Sequence, residues 1–394
     1  MKRLVTVLVV YGLLSAGAAA QTIIPGGDIS GDEIWTAAGS PYQVQGTVNI
    51  PWGTSLTVQS GVSVEFDQMA ADAKGFLVHG DLNADDAYFD ASIINVNNDW
   101  LMIEMYEGGK ADLEDCVFSG PWPGFAHDNW AMKWFEDDAD TVRISGSSFA
   151  GFTKAIVLGQ NGKAVINGCD FFDNDVDIRL EWLGQVAARD CNFSNPQSYA
   201  FEIYDQSDAY IRQSLFNGQV NTTAILAADE SLVSIHRCSF RGPYDTAIRV
   251  ANGDPFVLIL CSYFTGLTTA INNMTLSPVR ATDNWWANGT GPTHPANPGG
   301  TGETIAGIVT YDPWYKVEPC DNLPDVNCDG SIDPLDVAFM VQFVFRGNNA
   351  LCAHPACPNL DGDVNCDNAV DPLDVTYLVL YVYTANDALC LECP

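Results

Sequence analysis

ISGSSFAG (144–151), INGCDFFDN (166–174) and ARDCNFSN (188–195) are the same phrase written three times, and the phrase recurs across the middle of the chain. LEDCVFSG (113–120) precedes them, and IRQSLFNG (211–218), IHRCSFRG (235–242), LILCSYFTG (258–266) and ATDNWWANG (281–289) follow. With Phe118, Phe149, Phe171, Phe193, Phe216, Phe240, Tyr263 and Trp286 as aromatic anchors, the intervals are 31, 22, 22, 23, 24, 23 and 23 residues. A near-constant period of this size is the signature of a solenoid, in which each repeat buries its apolar face only against its neighbours.

The apolar positions keep their place relative to the anchor. Ile103, Ile156, Ile178, Phe201, Ile225 and Ile248 stand fifteen residues before it, and Leu113, Ile144, Ile166, Ala188, Ile211, Ile235 and Leu258 stand five before it. Two before it come Cys116, Ser147, Cys169, Cys191, Ser214, Cys238, Cys261 and Asn284. Short alternating apolar runs broken by Gly, Asn and Asp read as strands and turns, and no unit has room for a helix. Each unit is therefore one coil of stacked parallel strands, with like side chains repeating about 4.8 Å apart. A cysteine ladder at that separation raises the question of disulfides. In-register side chains point alike, however, so free buried thiols are the expected state.

The pattern resembles right-handed parallel β-helix proteins of the pectin-lyase-like superfamily, over about Pro41 to Tyr315. The entry segment YQVQGTVNIPWGTSLTVQSGVSVEF (42–66) and the exit segment DNWWANGTGPTHPANPGG (283–300), with VTYDPWY (309–315), look like the opening and closing segments of secreted members. The resemblance implies a lateral face that binds or cuts polysaccharides. Lyases on this fold combine carboxylate-bound calcium with a Lys or Arg base, and hydrolases use clustered aspartates. Asp173, Asp175 and Asp177 with Arg179 are the nearest candidates here, Asp173 in a turn phrase and the others facing solvent. No nucleophile with a matching base stands out, and the catalytic residues stay unassigned.

Two features suggest where a glycan would bind. The long 31-residue interval carries Trp122, Phe125, His127, Trp130, Trp134 and Phe135, with Trp100 shortly before it, and aromatic faces stack on sugar rings. Trp134 lies fifteen residues before Phe149, an inward position in other coils. The second feature is a basic column, Arg189, Arg212 and His236, each four residues before its anchor and so facing outward on consecutive coils, with Arg237 beside the last. Stacked cations need anions, and uronate or sulfate groups would serve; pairing with neighbours such as Asp190 is the simpler account. Asp205 and Asp229 form a separate acidic pair, eleven residues before their anchors.

Near the C-terminus the character changes. DVNCDGSIDPLD (Asp325 to Asp336) and DVNCDNAVDPLD (Asp363 to Asp374) repeat at a 38-residue offset. Asp325, Asn327, Asp329, Ser331, Asp333 and Asp336, and likewise Asp363, Asn365, Asp367, Ala369, Asp371 and Asp374, occupy loop positions 1, 3, 5, 7, 9 and 12. That is a calcium loop: alternating positions of a tight turn point oxygens at one hard cation, and position 7 needs only its carbonyl. Gly330 and Asn368 supply the sharp turn at position 6. A single helix is expected after each loop, with Pro334 and Pro372 at its first position. Loop followed by one helix, twice, resembles the dockerin module, which binds calcium and docks onto cohesin domains. The resemblance covers about the last 70 residues. Its partner-reading positions fall on Pro334, Leu335, Pro372 and Leu373, which depart from the usual hydroxyl pair, and Val341 and Gln342 stand where a basic pair is usual. Calcium binding transfers well, and the partner's identity does not.

The expected organisation is a signal peptide over residues 1–20, an all-β right-handed parallel β-helix over 21–316, and a small α-helical calcium-loop domain over 317–394. Met1, Lys2 and Arg3, an apolar run from Leu4 to Leu14, and Ala18 to Ala20 read as a secretory leader; the run is too short to span a membrane. Export fits the cysteines, of which seven follow residue 300 and read as staples for a small core. With 17 basic against 50 acidic residues the net charge is −33, which argues against nucleic acid. The function expected is a secreted, modular, glycan-facing protein with calcium as cofactor and a cohesin-like partner. The competing expectation is a non-enzymatic surface or adhesive protein whose solenoid is a rigid spacer.

Overall fold

The computed structural model describes residues 21–66, 75–91, 100–121, 128–134, 141–316 and 334–346, with 372, 375, 376, 378 and 379. The residues from Thr22 to Thr310 wind into a solenoid of three parallel sheets. Sheet 1 has 11 strands from Thr22–Ile24 to Tyr263–Thr265. Sheet 2 has 13, starting at Gly27–Asp28, and sheet 3 has 12, from Glu33–Trp35 to Val309–Thr310. As far as strand Val279–Arg280 the chain visits the three sheets in turn, so strands adjacent within a sheet are one coil apart in sequence; Pro292–Thr293 and Gly302–Ala306 then follow each other in sheet 2.

The core is a set of in-register columns. Phe89, Phe118, Phe149, Phe171, Phe193, Phe216, Phe240 and Phe264 pair strand to strand along sheet 1, and Trp286 stacks on the last. Successive rings lie 4.6 to 5.1 Å apart and nearly parallel. Isolated aromatic pairs favour offset or edge-on contact. Here the coil repeat fixes both the separation and the parallel stacking.

This corrects the register of one coil. Phe264, not Tyr263, continues the phenylalanine column; Tyr263 pairs with Ser239 and is half-buried. It follows that Ile259 is the inward residue of the preceding strand and Leu258 faces out. The same shift removes Cys261 from the thiol ladder: Ser262 takes the inward place, and its hydroxyl accepts the Cys238 amide at 3.1 Å. Cys261 has φ +53, the left-handed position also held by Asp86, Asp115, Asp190, Gln213, Arg237 and Asp283. One such residue per coil turns the chain from sheet 3 into sheet 1.

The residue after that turn explains why Cys, Ser and Asn alternate there. Ser147 and Ser214 accept the amides of Cys116 and Cys191 at 3.0 and 3.2 Å, and each donates to the carbonyl two residues before itself. Cys116, Cys191 and Cys238 direct their thiols at the same local carbonyls. A short side chain with a donor suffices. Cys116, Cys169, Cys191 and Cys238 are free and buried, as expected of a like-pointing ladder. Burial pushes the thiols of Cys116 and Cys238 up to about 11 and about 12.

The long 31-residue interval leaves strand Asn129–Trp134 of sheet 2 in register with its neighbours. Met132 is the counterpart of Ile103 and Ile156, while Trp134 pairs with Met105. Trp134 is buried as expected, two residues from its predicted register. Thr153 Oγ1 and the Thr153 amide bond both ends of the Asn129 side-chain amide, tying this strand to the next coil.

In the C-terminal segment a helix spans Pro334–Arg346 and starts at the proline predicted to open it. Met340 and Leu378 are buried and Phe345 is exposed. The calcium positions 325 to 333 and 363 to 371, Leu373, Asp374, the leader at 1–20 and the seven late cysteines lie outside the described residues. Among the described residues no helix is long and apolar enough to cross a membrane.

Candidate functional site on the second sheet

Outward positions of sheet 2 form a lane: Glu104, Lys133, Val157, Arg179, Glu202, Leu226, Arg249 and Asn272 are neighbours in register. At its centre Arg179 donates from Nε to Glu181 Oε2 at 2.9 Å and from Nη1 to Glu202 Oε2 at 3.1 Å. Its guanidinium also lies 5.3 Å from the centre of the Tyr204 ring, and Tyr204 Oη donates to Glu202 Oε1 at 3.4 Å. One cation thus joins two carboxylates from adjacent coils, with a phenol beside them.

The electrostatics are those of a partly dehydrated cluster. Burial raises the Glu202 carboxyl above its usual range, although Arg179 and Lys154 pull the other way. Burial also lowers Arg179, but Glu202 and Glu181 outweigh it and the net shift is upward. Tyr204 is pushed up to about 12 by burial and by Glu202. Burial draws the Lys133 ammonium down. Glu202 thus holds its proton more tightly than an exposed glutamate does, while accepting hydrogen bonds from a phenol and a guanidinium. Two coils on, the buried Nε of Arg249 has no hydrogen-bond partner among the described residues.

The residues expected from sequence are distributed differently. Trp130 is half-buried on this sheet, with Lys133 Nζ 4.7 Å and Lys154 Nζ 6.0 Å from its ring centre. Lys154 in turn pairs with Asp128 at 2.7 Å. Trp100 starts the neighbouring strand, opposite Asn129, and its side chain lies outside the described residues, as does all of Trp122. Asp177 does not face solvent: it is wholly buried, and Asn174 Nδ2 donates to its Oδ1 at 2.9 Å. Asp175 accepts from Ser198 Oγ. The aspartate cluster therefore does not assemble with Arg179.

The basic column does form, on sheet 3: Arg189 pairs with Arg212 and Arg212 with His236. Its charge is smaller than the sequence suggests. Burial, then Arg237 and Arg212, push His236 down to about 4, so it is neutral at pH 7, and Arg189 Nε meets Asp190 Oδ2 at 3.1 Å. Arg212 is exposed.

Glu202 and Tyr204 escaped the sequence reading because outward positions vary from coil to coil while periodicity marks only the inward ones. The available signal was the set of residues one step past each inward isoleucine or phenylalanine of sheet 2, where charge recurs at Glu104, Arg179, Glu202 and Arg249.

Residues 82–223 match the family model described as a right handed beta helix region. Together with the three parallel sheets from Thr22 to Thr310, this makes the described solenoid an all-β right-handed parallel β-helix. No curated protein and no solved structure matches it.

Proposed function

We propose that the β-helix is the glycan-facing module of an exported chain, binding or degrading polysaccharide on its second sheet. The observation carrying this reading is the Arg179–Glu202–Tyr204 cluster, where a carboxyl with raised proton affinity sits beside a donor phenol on a regular lateral face. A stacked-coil surface repeats every ~4.8 Å and so suits a polymer. Incubating the protein with calcium and neutral, uronic and sulfated polysaccharides, while following retention, reducing ends and unsaturated products, tests it. If product forms, Glu202→Gln is expected to slow the reaction by about 10²-fold or more. Retention without product makes the module a binder.

The spacer reading draws on a different observation: Arg179 is already paired with two carboxylates, and Val157 and Leu226 in the same lane are buried. Silence on every polymer would favour it.

We further infer a dockerin-like calcium module at the C-terminus that attaches the chain to a cohesin-type partner. Carboxylate and amide oxygens at positions 1, 3, 5, 9 and 12 form a hard donor set, and Asp325, Asp329, Asp333 and Asp336 repel one another without a cation. Two transitions are expected in a calorimetric melt with calcium, one of which is lost on chelation while the β-helix transition stays in place. A chelator-insensitive profile counts against metal-coupled folding.

A further inference from the structure

Five of the corners joining sheet 2 to sheet 3 are two-residue turns with both residues left-handed. Gln160–Asn161, Asp205–Gln206, Asp229–Glu230 and Asn252–Gly253 occupy four of them, with φ between 49° and 62° at the non-glycine positions. Short polar side chains and glycine tolerate this conformation best. The fifth such turn is Trp182–Leu183, at φ +51° and +65°. A tryptophan and a leucine are poor choices there, and the core does not need them: Trp182 is 65 % exposed and Leu183 43 %. Neither backbone preference nor burial accounts for an indole at this corner. A strained residue that packing does not require points to function.

The turn directly follows Glu181, the carboxylate that Arg179 holds, and in the next coil Tyr204 occupies the place corresponding to Glu181. We propose that Trp182 is the sugar-stacking platform of the second-sheet face and that this face takes a neutral polysaccharide. The inference rests on the glycan-facing reading above. The indole offers a flat apolar surface to a pyranose ring, while Glu181, Glu202 and Tyr204 beside it offer hydroxyl-binding groups. Charge selects the class. The guanidinium next to the platform is tied to two carboxylates, and Asp205 stands at the same turn position one coil on, so the charge nearest the indole is anionic; the unpartnered Nε of Arg249 is buried and three coils on from Arg179. Trp52 holds the matching turn position five coils earlier, about 24 Å away at the usual strand spacing, and is 64 % exposed.

Affinity electrophoresis of the full chain in gels containing xylan, mannan, mixed-linkage β-glucan, polygalacturonate or alginate tests the assignment. Wild type is expected to be retarded by at least one neutral polymer, and Trp182→Asn to bind it about tenfold more weakly or less tightly still. Because Asn suits the left-handed turn, the same variant should melt at or above the wild-type temperature, which separates lost stacking from misfolding. Trp52→Ala is expected to weaken retardation partially. Unchanged binding by Trp182→Asn would overturn the platform and leave the glycan-facing reading intact. Retardation by the uronic polymers alone would overturn the substrate class, and no retardation of wild type by any polymer would remove both readings together.

Discussion

Phe193→Ala is expected to destabilise the β-helix by about 3–5 kcal/mol, the range for emptying a large aromatic site in a core that cannot collapse onto it. Phe193 is fully buried between Phe171 and Phe216, with ring centres at 5.1 and 4.9 Å, and Phe201 meets it edge-on at 5.0 Å. Its neighbours cannot close the gap, because their positions are set by strands paired to coils on either side. A solenoid's stability is approximately a sum of coil and interface terms, so a break at the middle uncouples the two halves. Denaturant unfolding should therefore become broader or biphasic as well as occurring earlier. A single transition displaced by less than about 1 kcal/mol would contradict the picture of a rigid stack.

Asp177→Ala should act in the opposite direction, stabilising the protein at neutral pH by about 1–3 kcal/mol. The position lies between Ala155 and Ala200 in a buried column that continues through Ala224, Ala247 and Ala270. An acid there is the exception. Burial raises its carboxyl well above the ordinary value of 3.8, only partly opposed by the Asn174 hydrogen bond, and Asp173 adds to the rise. Below that ordinary value both folded and unfolded chains hold the proton and the group contributes no pH dependence. As pH climbs past it, the unfolded chain releases the proton while the folded chain keeps it, so stability falls until the folded group also ionises. Wild type should thus lose stability from about pH 4 upward, and Asp177→Ala should flatten that part of the profile. Asn174 retains the Phe149 carbonyl and the Phe152 amide as partners in the variant. Melting temperatures of both proteins at pH 4 and pH 7 decide it; a variant less stable at pH 7 would mean that the carboxyl contributes a bond that its burial conceals.

The inward half of the molecule was legible because stacking makes it repetitive. Phe118 to Phe240 announced the period, and the structure places their rings one above another. The register slipped by one residue at 258–263, where the cysteine of LILCSYF resembled the cysteines of earlier coils. The position asks only for a short donor, and Ser262 supplies it. The outward half was less legible for the converse reason. Arg179 and Glu202 become neighbours through a coil of 23 residues, and neither obeys a pattern shared by the coils around it. Asp177 shows the limit of alternation: it reads as outward among Asp173 and Asp175, yet sits among alanines because the start of each sheet-2 strand is enclosed.

The 31-residue interval is the longest between anchors, and Met132 still pairs with Ile156. Interior and exterior are consequently indexed separately in this molecule. Lengthening a corner, or exchanging its two residues as at Trp182–Leu183, rewrites what the surface presents without renumbering what the interior stacks. A scaffold of this kind can acquire a new binding specificity one corner at a time, each trial confined to the coil in which it occurs.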